Sequence, residues 1–231
     1  MRKLMAEILG TFALVFAGTG AIVINDVSGG QITHLGIALT FGLIVFAMTH
    51  AVGDVSGAHL NPAVTLGLFV ARKFAGRNVI PYVISQCVGA LLASLFLRFL
   101  FPDHATLGAT IPSGTSLQSF VLEVFLTWLL MFVALSFSVC PKDRAQWAGV
   151  VMGAVVALEA LFAGPICGAS MNPARSLGPA VVSLRLDNLW IYLIAPPIGA
   201  LLAIIGCRCV NEPGCCCAPT TGKSAHPPVA L

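Results

Sequence analysis

Charge is what this sequence has least of. Of its 231 residues 9% are Asp, Glu, Lys or Arg against 58% hydrophobic, and the mean hydropathy is +0.95, which excludes an ordinary water-soluble domain. The net charge of +3 reflects membrane topology and says nothing of nucleic acid, so no such partner is expected. Strict apolar–polar alternation is also missing, which excludes a transmembrane barrel. The first apolar segment, "MRKLMAEILGTFALVFAGTGAIVI", has no small-x-small cleavage site after a short apolar core and contains Glu7, so it is expected to be retained rather than removed as a signal. Lys and Arg are absent from the connections around Asp26–Gln31 and Pro102–Gln118, as translocated loops require.

What is present is six apolar segments, about 4–25, 33–52, 78–101, 115–138, 146–166 and 188–208. Each is near the roughly 20 residues that a spanning helix needs. The expected class is an all-α membrane protein with six transmembrane helices. Arg2, Lys3, Arg72, Lys73, Arg77, Lys142, Arg144, Arg208 and Lys223 fall at the N-terminus, in the second and fourth connections, or at the C-terminal end. That bias predicts both termini in the cytoplasm and a protein of the cell (inner) membrane. Of eight cysteines, Cys207, Cys209, Cys215, Cys216 and Cys217 crowd the cytoplasmic end, where a disulfide framework is not expected.

The chain repeats itself. "SGAHLNPAVTLG" starting at Ser56 returns as "CGASMNPARSLG" starting at Cys167, and "GALLA" occurs at 89–93 and again at 199–203. "AEILGTFALVF" in the first segment is similar to "LEVFLTWLLMF" in the fourth, setting Glu7 opposite Glu123. The repeats run over about 1–101 and 115–208, within one domain spanning 1–210, and 211–231 is expected to be a disordered cytoplasmic tail. Three spans per half is an odd number, so the second half enters from the opposite side. The result is an inverted tandem repeat with a pseudo-two-fold axis in the membrane plane.

Each repeated motif lies in a connection too apolar for a plain loop. Asn61 and Asn172 are N-cap residues by type, followed by Pro62–Ala63 and Pro173–Ala174, with proline at the first helical position. The helices that follow, of about ten residues, cover only half the hydrocarbon layer, so two re-entrant half-helices meet near the midplane. Irregular backbone at that depth must be buried or line a wet cavity. The carbonyls of Gly57, Ala58, His59, Gly168, Ala169 and Ser170 are therefore candidate pore-lining acceptors. The amide NH2 of each asparagine is expected to point away from its helix as a fixed donor. Two positive helix ends aimed at one point oppose cations there. This chemistry suits water and small neutral hydroxylated solutes. No nucleophile–base pair or metal-ligand spacing lies near the midplane, so neither enzyme, cofactor nor metal site is expected.

The paired Asn-Pro-Ala motifs, the arginine three residues after the second asparagine, the six-span duplication and one glutamate in the first helix of each half resemble the aquaporin (major intrinsic protein) family. The resemblance covers about 1–210. It implies a homotetramer with one pore per subunit, and a narrow filter on the extracellular side formed by Phe41, Ala160, Ala169 and Arg175. Strict water channels of the family typically have histidine where this chain has Ala160, so a wider filter is implied. "AGPICGASMNPARS" and "LWIYLIAPPIGA" are most similar to the nodulin-like branch and its bacterial relatives, associated with glycerol and metalloid hydroxides such as arsenite or boric acid. The alternatives to such a channel are a strict water channel and a secondary transporter.

Other residues keep two readings. Glu7 and Glu123 either support the loops by accepting their N–H groups or relay protons. Glu159 either lines the widened pore or bonds a neighbouring helix, and His59 is either hydrogen-bonded scaffolding or a gate. The C-terminal cysteine cluster is a target for acylation or a soft-metal site.

Overall fold

Residues 1–138 and 146–210 are described by the computed structural model of the chain, and every regular element among them is a helix. Six are long: α1 (Arg2–Val27), α2 (Thr33–Ser56), α4 (Val79–Leu100, led in by a 3-10 turn over Gly76–Asn78), α5 (Ser116–Ser138), α6 (Ala148–Cys167) and α8 (Leu189–Val210). All six are long and apolar enough to cross a membrane, and large apolar side chains such as Phe99, Phe125 and Leu158 are exposed on the outside, where lipid would meet them. Two are short: α3 (Pro62–Val70) and α7 (Pro173–Ser183), of 9 and 11 residues. The C-terminal segment 211–231, expected to be a disordered tail, lies outside the described residues.

The sequence dictates where these helices stop. α2 ends on Gly57 and α6 on Gly168, both left-handed, with φ of 92° and 82°, a conformation that glycine adopts without steric cost. α3 and α7 begin where an asparagine caps and a proline follows, whose missing N–H no helix partner would have used. Within α6, Pro165 has no N–H for the carbonyl of Leu161. His34 Nε2, from the start of α2, lies 2.7 Å from that oxygen and takes the missing role.

The two halves pack alike. α1 lies on α4 and α2, and α5 lies on α8 and α6. The short helices cross over, α3 against α8 and α7 against α4, while α2 and α6 form the seam between halves. Small residues permit this closeness. A Cβ on Gly89 would strike the Ile8 carbonyl of α1, and one on Gly199 would strike the Val124 carbonyl of α5. At the seam Gly42 and Gly153 face one another, a Cβ on either falling 2.5 Å from the other's carbonyl oxygen.

Cys87, Cys167 and Cys209 are free thiols. Cys207, near the C-terminal end of α8, is disulfide-bonded, where the sequence reading expected no disulfide framework on the ground of compartment. That expectation rests on redox equilibrium, whereas the structure reports proximity.

Candidate functional site

The stretches that join α2 to α3 and α6 to α7 have the same backbone. After each glycine, Ala58 and Leu60 in one, and Ala169 and Met171 in the other, hold positive φ between 39° and 53°. For residues with a Cβ this is strained backbone, kept only where surroundings over-determine it. Two buried carboxylates supply that constraint. Glu7 accepts from Ser56 Oγ (2.7 Å), the N–H groups of His59 (3.0 Å) and Leu60 (2.8 Å), and Gln86 Nε2 (2.8 Å). Glu123 accepts from the N–H groups of Ser170 and Met171, each at 2.8 Å.

The chain's two tyrosines form a second matching pair. Tyr82 donates its hydroxyl to the carbonyl of Ser56 (2.9 Å), and Tyr192 to that of Cys167 (2.7 Å), the last residue of α2 and of α6 respectively. Each satisfies a helix-end carbonyl that has no partner in its own helix. Sequence reasoning gave neither tyrosine, nor Gln86, a structural role. The signal was there: Tyr82 and Tyr192 are separated by the same 110 positions as the two "GALLA" segments.

At the centre the asparagines cap their helices and also grip one another's loops. Asn61 Oδ1 accepts from the Ala63 N–H (2.8 Å), and Asn172 Oδ1 from those of Ala174 (3.0 Å) and Arg175 (3.3 Å). Asn61 Nδ2 donates to the Met171 carbonyl and Asn172 Nδ2 to the Leu60 carbonyl, each at 2.8 Å. This modifies the expectation of two free donor groups. Each amide spends one N–H on the opposite half, because the half-helices abut and their last loop carbonyls need partners, and one N–H remains.

Around this junction is a cavity of about 60 Å³. At roughly 15 Å³ of probe volume per water it has room for about four waters. Phe41, Ala58, His59, Leu60, Asn61, Ala169, Ser170, Met171, Asn172 and Arg175 contribute to its wall, completed by apolar residues such as Val45, Met152 and Val156, and no acidic side chain among the described residues lines it. His59 is both wall and scaffold: its Nδ1 is 3.1 Å from Thr65 Oγ1 and its ring packs against both Phe74 and Tyr82, which also touch each other. Gly57, Gly168 and Ala160 are outside the lining. For Ala160 the reason is helical phase. At about 100° per residue it points about 60° away from the direction midway between Met152 and Val156, the two α6 residues in the wall.

Arg175 is almost wholly buried, with its guanidinium carbon 5.0 Å above the Phe41 ring and its Nη1 donating 2.9 Å to the carbonyl of Gly108. Gly108 belongs to the connection between α4 and α5, which folds inward. His104 holds that connection: its Nδ1 accepts from the Leu107 N–H (3.0 Å), and its Nε2 is 3.3 Å from Asp26 at the end of α1. Gly108 has no sequence signature that links it to an arginine 67 positions away.

Residues 1–206 match the family described as MIP, Major intrinsic protein. The chain belongs to the major intrinsic protein family. Its curated relatives include "Aquaporin NIP1-1" of Zea mays, 45% identical over 202 residues, which cover 87% of this chain and 72% of that protein. "Nodulin-26" of Glycine max is 43% identical over 202 residues, covering 87% and 74%. Among solved structures, the aquaglyceroporin from Plasmodium falciparum superposes with a TM-score of 0.78 at 26% identity, covering 87% of this chain and 93% of that one. In this chain the two half-helices meet end to end at the cavity.

Proposed function

We propose that the protein is a passive transmembrane channel for water and small uncharged solutes, glycerol and metalloid hydroxides such as arsenite or boric acid among them. One observation carries the reading: two half-helices, capped by Asn61 and Asn172, meet end to end at a cavity with a buried arginine in its wall and, among the described residues, no acidic side chain. The relatives support it by name, as aquaporins and an aquaglyceroporin.

The mechanism is hydrogen-bond replacement with exclusion of charge. A solute entering past Phe41, Ala169 and Arg175 gives up water contacts, and Arg175 donates to a hydroxyl while Phe41 supports the apolar side. Ala160, near the same level, leaves room where an imidazole would otherwise stand. At the junction the remaining N–H of Asn61 and of Asn172 donates to the solute oxygen, and exposed carbonyls of Ala58, His59, Ala169 and Ser170 accept its hydrogens. A water that accepts from both asparagines is oriented with its hydrogens outward, which breaks a proton wire. The positive ends of α3 and α7 add to the barrier against cations. Pro62, Ala63, Pro173 and Ala174 serve as the first turns that present those ends, and Glu7 and Glu123 fix the loops.

The channel domain is taken as 1–210, in two repeats of about 1–101 and 115–208, with both termini cytoplasmic from the distribution of Lys and Arg. Assembly as a homotetramer in the lipid bilayer follows the family resemblance. Permeability of purified protein in liposomes to water, glycerol, arsenite and boric acid, measured side by side, tests the reading. Faster passage of water and at least one larger solute than in empty vesicles is expected. Water flux alone would instead make this a strict water channel.

A further inference from the structure

Glu159 is wholly buried outside the cavity wall, with no hydrogen-bond partner on either oxygen, and reaches nothing that a solute meets. His104 does reach the filter, through one backbone carbonyl. Gly108, which accepts from Arg175 Nη1 at 2.9 Å, has φ of 72°, and Leu107 before it is wholly buried with φ of 50°. Two successive residues in the left-handed region, one of them with a Cβ, keep that shape only where neighbours impose it.

A single atom imposes much of it here. Nδ1 of His104 accepts from the N–H groups of Leu107 (3.0 Å) and Thr106 (3.4 Å). A ring nitrogen that accepts carries no proton, so the imidazole is neutral, with its hydrogen on Nε2, 3.3 Å from Asp26 Oδ2 at the end of α1. With Asp26 53% exposed, the pair is open to water and to its pH. The other charged groups of the region are Arg98 of α4, whose Nη1 donates to the carbonyls of His104 (2.9 Å) and Pro102 (2.7 Å), and Asp103 in the same connection.

We propose that His104 is a positioning residue of the filter and makes it pH-sensitive: the neutral imidazole holds the turn that presents the Gly108 carbonyl to Arg175, and protonation releases both. The inference rests on the channel reading above. A proton taken up at Nδ1 turns the acceptor into a donor that faces two further donors, while the imidazolium so formed pairs with Asp26. The turn opens, and Arg175, whose Nε already has no partner, loses the carbonyl that holds its Nη1. The acceptors left to the guanidinium are carbonyls of the cavity wall. Turned toward them it fills part of the cavity of about 60 Å³ that water and solute need, and flux falls.

The experiment measures water and glycerol flux per inserted protein in proteoliposomes with the same buffer on both faces, from about pH 7.5 to about pH 5, the range in which a histidine changes charge. Wild-type flux is expected to fall about fivefold across it, the weight of one ordinary hydrogen bond. His104→Asn sets an amide oxygen within reach of the same N–H groups at every pH and is expected to keep the neutral flux throughout. His104→Ala has no acceptor and is low throughout. Should the alanine variant fail to insert, Asp26→Asn carries the test: it keeps an acceptor for Nε2 but lacks the charge that pairs with the imidazolium, so more acid is needed for the same loss. In Arg175→Val protein, which has no guanidinium to release, the dependence on pH disappears. A level wild-type profile overturns the proposal, as does an asparagine variant that falls like wild type or an inserted alanine variant with full neutral flux. So does a wild-type profile in Asp26→Asn, or acid closure that persists in Arg175→Val. Wild-type protein that passes neither water nor glycerol at any pH defeats the channel reading itself, and that arm is read before any variant.

Discussion

Arg175 is a cation held in an apolar interior by one carbonyl and one aromatic face, in the wall of a cavity that no acidic side chain among the described residues lines. Such a charge stays costly to bury, and in the proposed mechanism it opposes cations and protons. Arg175→Val removes the fixed charge while leaving the asparagine junction in place. Proton or sodium leakage is expected to rise severalfold above wild type, with water flux kept, in vesicles loaded with a pH dye; equal leakage in both would remove the arginine from the barrier. Glu7 makes a different kind of prediction. Its four donors include the backbone N–H groups of His59 and of Leu60, the latter at positive φ, so Glu7→Gln replaces one acceptor oxygen by an amide NH2 that faces donors. A loss of about 3 kcal/mol is expected from hydrogen bonds to a charged, buried group, read as a lower midpoint of unfolding in detergent. A variant as stable as wild type would mean the loop holds its own shape.

The helices are set against each other by backbone contacts that only small residues allow. At the α2–α6 seam a Cβ on Gly42 would come to 2.5 Å from the Gly153 carbonyl oxygen, and backbone cannot move aside as a side chain can. Gly42→Ala is expected to cost about 1–3 kcal/mol by overpacking, and Gly42→Val to leave little folded protein, judged by gel filtration after detergent extraction. Wild-type yield from Gly42→Val would show a seam looser than the structure has it. The spans themselves were legible in the sequence to within a few residues, because length and hydropathy set them; the first-segment estimate of 4–25 became Arg2–Val27. The half-helices were legible from cap chemistry, Asn then Pro. What could not be read was contact between distant segments: Arg175 on the Gly108 carbonyl, His34 at the carbonyl that Pro165 leaves open, and the asparagine amides on one another's loops. Each depends on tertiary packing, which leaves no periodic trace.

In the whole molecule, neither half completes the site alone. Asn61 binds Met171 and Asn172 binds Leu60, α3 packs on α8 and α7 on α4, so the inverted repeat closes the pore across its own pseudo-axis. A broken span of this kind also occurs in coupled transporters, and what separates a passive channel from those is independence from any ion gradient. The direct measurement follows glycerol entry by light scattering and internal pH by an enclosed dye in the same proteoliposomes, with potential clamped and no ion gradient present. Glycerol flux proportional to protein density, equal from either direction and without a pH change is the result predicted. Flux that appears only with an imposed ion gradient, or a proton current that grows with protein density, would contradict the account.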